Sequence, residues 1–293
     1  MNTMLLEPRE FRLLDGLRIN PRKSFGGKVR GERLTKKKGV SIEFADYREY
    51  AEGDDLRHLD WNVLARLDSP VMRTYRDEED LAVHILLDGS ASMSFGEPSK
   101  FESAQRFACA IGYVALNGGD GVIPRILGTR EPNQPTLRGR ANYPRLAGWT
   151  TQARDIESAK DGLSTSLRTF VASSVRTGVC FLLSDGLDPD LPMAIRILAG
   201  RGHEVMLLQI LSDIEIDPDL EGDLRLVDSE TGKVTEITAN SFALKEYRRR
   251  LQEHNRSLVE ALTRVGGRYA LVSTDQSVDA VLKNVWKREG WVK

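Results

Sequence analysis

The sequence predicts a doubly wound α/β fold with a mostly parallel sheet, preceded by a β-containing N-terminal extension. Strand-length apolar runs such as LAVHILL, VCFLL and VMLLQIL alternate with segments whose apolar residues recur every three or four positions. Strands that are apolar throughout are typical of parallel sheets covered by helices on both faces. This pattern begins near residue 81. We therefore divide the chain into an N-terminal region, 1–79, and an α/β domain, 80–293.

The first half of the α/β domain is predicted to contain two strands and one long helix. Residues 81–87 and 121–127 are apolar over most of their length, as expected for buried strands. Between them, 100–116 carries apolar residues at spacings of three and four, which predicts a helix. Residues 128–150 are polar and contain Pro, Gly and Arg, so we expect a loop insertion there.

The second half continues the alternation. The predicted strands are 178–184, 203–211 and 268–272, and the predicted helices are 155–171, 192–199, 242–265 and 278–287. Two short β-like runs, 224–227 and 234–237, flank Ser229-Glu230-Thr231-Gly232, a sequence suited to a hairpin turn. Because strands alternate with helices, we expect the main strands to lie parallel in one sheet.

Composition excludes several classes of protein. The chain has 42 Lys and Arg against 43 Asp and Glu, so it lacks the basic excess of a general nucleic-acid coat protein. No segment has the ~18 apolar residues that a membrane span needs, and the first residues do not form a signal peptide. Cys109 and Cys180 are too few for a disulfide framework or a cysteine-based zinc site. We therefore expect a soluble cytoplasmic protein that binds no nucleic acid and spans no membrane.

Oxygen-bearing side chains follow two of the predicted strands. Asp88, Ser90 and Ser92 come directly after the first strand, and Asp185 follows the strand 178–184. Ligands of such folds bind at the carboxyl ends of strands, and residues two apart in an extended loop point the same way. One carboxylate and two hydroxyls are hard donors suited to Mg²⁺ or Mn²⁺. We predict a divalent-cation site whose incomplete shell accepts an acidic side chain from a partner.

The simpler alternative is that Asp88 and Ser90 only cap a turn and the following helix. The second acid at a strand end, Asp185, favours the cation site over this alternative.

Enzymatic alternatives have weaker support. A phosphatase with an aspartate nucleophile needs a second carboxylate where Ser90 stands, and the sequence contains no G-x-S-x-G, P-loop or G-x-G-x-x-G motif. A metal-dependent hydrolase would have to use Asp120 or Glu97 as its base. A Ser94–Lys100 pair has unremarkable spacing. The four histidines lie in different elements and are interpreted as structural or surface residues: His58, His84, His203 and His254.

Two motifs resemble known families. The DGSASM loop resembles the metal-ion-dependent adhesion site (MIDAS) of von Willebrand factor A domains, which have a Rossmann-like fold. The block EFADYREYAEGDDLRHLDWN resembles the bacterial domain-of-unknown-function family fifty-eight, with its R-x-Y-x-x-G-D-D-x-R-x-I-D-W pattern before the A domain. SDGLD, GHEVMLLQIL, LRLVDSETG and GGRYALVSTD agree with this family. The resemblance covers about 40–290.

The resemblance implies a set of metal ligands. Asp88, Ser90, Ser92 and Asp185 match the adhesion-site positions. Thr150 or Thr151 supplies the expected threonine, and Thr151 completes our candidate set. If Asp155-Ile156 aligns with the Asp-Leu pair that is usual in these domains, Arg154 stands in the place of the expected threonine. Its positive charge would then weaken cation binding or take the place of the cation.

The resemblance also implies a function. Members of the family often accompany MoxR-type AAA+ ATPases, which act as chaperones in the assembly of protein complexes. It thus implies a non-enzymatic adaptor that binds such an ATPase or its client. Two alternatives stay open: a metal-dependent hydrolase using the same carboxylates, and a metal-free structural scaffold in which Arg154 fills the place of the cation.

The acidic and aromatic block before the A domain allows two interpretations. Its Tyr, Trp and Arg residues are of the kind that dominate protein interfaces. Alternatively, Arg48 and Arg57 pair with Asp54, Asp55 or Asp60 while a buried Trp61 fixes the loop, and we favour this interpretation. The basic stretch 22–38 is predicted to be a solvated, mobile segment rather than a nucleic-acid site.

Overall fold

A computed structural model describes residues 5–25, 43–51, 54–76, 80–129, 134–152, 162–173 and 175–293. Contacts divide the chain into two units, one formed by Met1–Ser24 with Leu81–Lys293 and the other by Phe25–Asp80. The predicted division between 79 and 80 lies next to the observed junction. The first 24 residues nevertheless belong to the larger unit, because helix α1 (Pro8–Leu14) buries Leu14 there and Tyr113 donates a hydrogen bond to Asp15.

The smaller unit contains an antiparallel pair of strands and a short helix. Strands β1 (Glu43–Glu49) and β2 (Val71–Arg76) pair with each other, and α2 (Trp61–Leu67) lies between them in the chain. The Asp60 carboxylate caps α2 by accepting hydrogen bonds from the backbone N–H groups of Asn62 and Val63. The Tyr47 hydroxyl lies 3.0 Å from the other Asp60 oxygen.

The arginines of this unit pair with nearby carboxylates. Arg48 binds Asp54 through two hydrogen bonds of 2.6 Å, and Arg57 binds Asp55. These hydrogen bonds lower the pKa of both aspartates to about 2. The expectation of a buried Trp61 is wrong, since this side chain is 60% exposed. As the first residue of α2, it follows the capping Asp60 and does not join the core.

The strands of the larger unit follow one another along the chain as β3 (Ala82–Asp88), β4 (Gly121–Leu127), β5 (Leu137–Arg138), β6 (Val179–Ser184), β7 (Glu204–Leu211), β8 (Gly222–Val227), β9 (Val234–Ala239) and β10 (Arg268–Ser273). Six of them form the main sheet in the order β10-β7-β6-β3-β4-β5, and β8 and β9 form a separate hairpin. All neighbours in the main sheet are parallel except β4 and β5. The predicted α/β fold with a mostly parallel sheet is confirmed, as is the hairpin.

Helices connect these strands: α3 (Lys100–Gly118), α4 (Tyr143–Gln152), α5 (Leu163–Ala172), α6 (Leu191–Gly200), α7 (Asp213–Ile216), α8 (Ser241–Arg264) and α9 (Val278–Val281), which continues as one π-helical turn, Leu282–Lys287. Every residue of β3, β6 and β7 is buried. No helix in the described part of the chain is long and apolar enough to span a membrane.

Two predicted segments differ from the structure. Residues 128–150 are not only a loop, because they contain β5 and most of α4. Helix α4 forms there because Leu146 and Trp149, three residues apart, are buried on one of its faces. The Leu146 side chain lies against Gly112 of α3 so closely that a Cβ atom at that glycine would be 2.2 Å away. Of the predicted helix 155–171, the structure describes α5, while 153–161 lie outside the described residues.

Candidate functional site

The loop after β3 brings one carboxylate and two hydroxyls together. Asp88, the last residue of the strand, is buried, and its Oδ1 accepts a hydrogen bond of 3.0 Å from the Ser90 N–H. The Oγ atoms of Ser90 and Ser92 are 3.0 Å apart. Gly89 permits this path, because a Cβ atom there would lie 2.6 Å from the Leu127 carbonyl oxygen of β4. The three side chains predicted to form a site therefore share one side of the loop.

The neighbouring strand β6 supplies a fourth polar side chain that the sequence analysis missed. The Ser184 hydroxyl donates a hydrogen bond of 2.5 Å to Asp88 Oδ2, and the Gly186 N–H donates to the same hydroxyl. Ser184 stands directly before Asp185 in the sequence SDG, at the end of a predicted strand. That position is the one feature of the sequence that indicates a place for Ser184 in the site. Burial, with the nearby charge of Asp185, raises the pKa of Asp88 to about 6.

Asp185 is buried beside a lysine. Its Oδ2 atom lies 2.8 Å from Lys100 Nζ, and its Oδ1 accepts a hydrogen bond from the Leu187 N–H. The same ammonium lies 2.7 Å from Oε1 of Glu215 on α7. Burial by itself would lower the pKa of Lys100, but the charges of Asp185 and Glu215 raise it above its ordinary value. Lys100 therefore remains protonated.

Ser94 and Lys100, six residues apart in the sequence, do not pair in the structure. The Ser94 hydroxyl donates to the Ala91 carbonyl, while Lys100 begins α3 and points at Asp185 and Glu215. Glu215 was also missed, because nothing in the sequence links a four-residue helix after β7 to the loop after β3.

The candidate threonines bond to backbone within their own helix. Thr150 donates to the Ala147 carbonyl and contacts the Cys109 sulfur at 3.3 Å. The Thr151 hydroxyl lies 2.9 Å from the Gly148 carbonyl oxygen. Within the described ranges, neither threonine is hydrogen-bonded to Asp88, Ser90 or Ser92, and Arg154 lies outside them.

The donor set suits a divalent cation in its chemistry. Asp88, Ser90, Ser92 and Asp185 offer carboxylate and hydroxyl oxygens, which Mg²⁺ and Mn²⁺ prefer. Among residues that the structure describes, no three His, Cys, Asp or Glu side chains are grouped so as to hold a metal. A cation here would therefore depend on the serine hydroxyls. Lys100 opposes this fit, because its ammonium already places a positive charge beside the Asp185 carboxylate.

One of the two bases expected for a metal-dependent hydrolase, Asp120, lies far from the loop after β3. Asp120 stands immediately before β4, whose first residue, Gly121, pairs with Ala82 at the start of β3. Asp88 is at the other end of that strand, so the sheet separates the two carboxylates by its full height.

Two histidines and a cysteine are buried in a cluster of their own. His84 lies on β3, Cys180 on β6, and His203 immediately before β7. The His84 Nε2 atom is 2.7 Å from the Arg176 carbonyl oxygen, and the Cys180 sulfur is 3.4 Å from His203 Nδ1. Burial raises the pKa of the Cys180 thiol far above its ordinary value, which leaves it unreactive. His254 is placed differently, with its Nε2 atom 2.6 Å from the carbonyl oxygen of Gly186.

The buried His84 predicts a loss of stability in acid. Burial lowers its pKa from 6.5 to about 4, and Nδ1 has no hydrogen-bond partner within the described residues. The unfolded chain therefore takes up a proton near pH 6.5, whereas the folded chain resists it until about pH 4. Stability should fall across this window by up to about 3 kcal/mol. Denaturant unfolding of wild type and His84→Met, measured from pH 7.5 to 4, should show a shallower fall in the variant; parallel curves would contradict the assignment.

Comparison with known proteins yields a family and several relatives. The model of the family described as "Protein of unknown function DUF58" matches residues 46–257. Uncharacterized proteins of Mycobacterium bovis and of two Mycobacterium tuberculosis strains are each 26% identical over 277 residues, covering 92% of this chain and 86% of the relative. Among solved structures, conserved hypothetical protein BatB from Bacteroides thetaiotaomicron has a TM-score of 0.45 at 16% identity, covering 72% of this chain and 98% of its own. An aerotolerance-related membrane protein from Bacteroides fragilis has a TM-score of 0.45 at 17% identity, covering 71% and 98%.

Proposed function

Since the chain belongs to the family of unknown function DUF58, we propose a role for it from the site at the ends of β3 and β6. The protein is a non-enzymatic adaptor with a von Willebrand factor A-like domain, and it binds a partner protein through Mg²⁺ or Mn²⁺ in a MIDAS-type site. Asp88, Ser90, Ser92 and Asp185 hold the cation, with Thr151 as the remaining candidate ligand.

The observation that carries this proposal is the convergence of Asp88, Ser90 and Ser92. A loop that only capped a helix would not need a buried carboxylate next to two hydroxyls 3.0 Å apart. The Ser184 hydrogen bond fixes the orientation of the Asp88 carboxylate. When bound, the cation supplies a positive charge that attracts a carboxylate of the partner.

The surroundings of the site support a protein as the partner. Three large apolar side chains next to it are exposed: Phe95, Leu187 and Ile214. The Phe95 ring lies 5.9 Å from Lys100 Nζ, Leu187 follows Asp185 by two residues, and Ile214 precedes Glu215. Exposed apolar groups around a polar centre are typical of protein interfaces. We propose a cytoplasmic partner, a MoxR-type AAA+ ATPase or its client.

The test is a thermal-unfolding titration with Mg²⁺ and Mn²⁺ against a chelator, on wild type and Asp88→Ala. Binding to the folded state raises stability by RT ln(1 + [L]/Kd), so a cation at about 100 times its Kd adds ~2.7 kcal/mol. We expect the unfolding temperature to rise in wild type and to stay constant in Asp88→Ala. Glu260→Ala removes an exposed carboxylate of α8 and serves as the matched control, with a rise equal to that of wild type.

The same titration distinguishes a second candidate function. Lys100 already supplies Asp185 with a positive partner, which favours a metal-free structural scaffold. An unfolding temperature that does not respond to either cation, in wild type or in any variant of the site, would support the scaffold and exclude the cation-dependent adaptor. A cation response that persists in Asp88→Ala would place the ion elsewhere.

A further inference from the structure

We propose that Lys100 is an internal cation that competes with the divalent ion for Asp185 and thereby keeps the ion affinity of the free protein low. This inference rests on the proposed function and concerns the regulation of the same site. It assigns a role to a side chain that lies neither in the loop after β3 nor at the end of a strand.

The position of Lys100 carries the inference. Its side chain is 1% exposed, and its ammonium contacts two carboxylates, Asp185 Oδ2 at 2.8 Å and Glu215 Oε1 at 2.7 Å. Lys100 is the first residue of α3, directly after the Ser99 cap, so its backbone is fixed by the start of a 19-residue helix. The ammonium is thus held at Asp185 by the fold and does not merely reach it from solvent.

Asp185 cannot serve both cations equally well. A Mg²⁺ ion binds carboxylate oxygens at about 2.0–2.1 Å, and an ammonium 2.8 Å from the same carboxylate would repel it at short range in a buried site. For Asp185 to bind the ion fully, Lys100 must withdraw toward Glu215. When the Lys100 ammonium moves away from Asp185, it keeps its ion pair with the Glu215 carboxylate.

The effect of the Lys100 ammonium can be tested without changing the net charge of the site. Asp88, Asp185 and Glu215 carry three negative charges when ionised, and Lys100 returns one positive charge, for a local sum of −2. A double variant, Lys100→Gln with Glu215→Gln, keeps Asp88 and Asp185 and has the same sum of −2. It removes the ammonium from Asp185 without changing the formal charge of the site. It leaves no charge at position 215 without a partner, and the Leu187 N–H still donates to the Asp185 carboxylate. Thermal unfolding verifies that this variant is folded.

The experiment is calorimetric titration of the metal alone, Mg²⁺ or Mn²⁺, into wild type, the double variant, Lys100→Arg and Asp88→Ala, with thermal unfolding to verify that each is folded. We expect the double variant to bind at least tenfold more tightly than wild type, equivalent to ~1.4 kcal/mol. Lys100→Arg keeps the positive charge and should not bind more tightly than wild type. Adding Asp88→Ala to the double variant should abolish binding.

The outcomes separate this inference from the proposed function. If wild type binds, Asp88→Ala does not, and the double variant binds no more tightly than wild type, the role of Lys100 is wrong and the cation site stands. If the double variant binds through Asp88 while wild type does not, both ideas are supported. If no variant with Asp88 intact binds at millimolar metal, the cation site itself is wrong, and the role of Lys100 is wrong with it.

Discussion

Replacing Arg268 by methionine is expected to lower the free energy of unfolding by about 3–5 kcal/mol. The guanidinium of Arg268, on β10, pairs at 3.0 Å with Glu204 at the start of β7, and both side chains are almost fully buried. It also donates to the carbonyl oxygens of Asn20 and Gly290. Removing it would leave the Glu204 carboxylate buried without its charged partner.

Glu204 also binds the N-terminal segment, so the buried pair connects this segment to β7. Its Oε2 atom accepts hydrogen bonds of 2.8 and 2.9 Å from the backbone N–H groups of Arg22 and Lys23. Denaturant unfolding monitored by circular dichroism measures the effect. The control is Arg264→Met, which breaks an exposed pair with Glu260 on α8 and should cost less than about 1 kcal/mol. Equal losses in the two variants would show that burial does not determine the strength of these pairs.

Replacing Gly178 by alanine is expected to lower the free energy of unfolding by about 3 kcal/mol or more. Gly178 immediately precedes β6, and a Cβ atom there would lie 2.0 Å from the carbonyl oxygen of Ala82, the first residue of β3. That oxygen belongs to the backbone of a central strand and cannot rotate away. The methyl group could be accommodated only by separating β3 from β6 at their amino ends.

The matched control for this substitution is Gly148→Ala. Gly148 lies inside α4, and a Cβ atom there would have no neighbour within 4 Å. Alanine is the better helix former, so this variant should gain about 0.5–1 kcal/mol. Thermal unfolding of the two variants should therefore shift in opposite directions, and a Gly178→Ala protein as stable as wild type would contradict the contact.

The main sheet was predictable because its strands are buried on both faces. β3, β6 and β7 are mostly apolar in sequence and buried at every residue, a pattern typical of strands in a parallel sheet covered on both faces. Helix α4 was missed because its buried face consists of little more than Leu146, Trp149 and Thr150 within a polar segment. A stripe that narrow is difficult to separate from a loop by periodicity alone.

The loop of the candidate site was predictable, but its ionic partners were not. Asp88, Ser90 and Ser92 are close in sequence, so their spacing indicates that they point the same way. Lys100 and Glu215 meet only through tertiary structure, and each is an ordinary charged residue in its own segment. The error at Trp61 has a similar origin, since a large apolar side chain predicts burial only when the fold supplies a surface to cover it.

The contacts that join the loop after β3 to β6 and α7 are distant in sequence, and this affects how the protein folds. Asp88 and Ser184 are 96 residues apart, Lys100 and Asp185 are 85 apart, and Lys100 and Glu215 are 115 apart. Closing such long loops costs chain entropy before any contact compensates for it, which slows the folding of parallel sheets. During synthesis, the proposed ligand set is incomplete until the ribosome has released the chain past residue 185, and Lys100 lacks its second carboxylate until residue 215 has followed. The proposed ion-binding site is therefore a product of the assembled sheet, and a fragment that ends before β6 cannot form it.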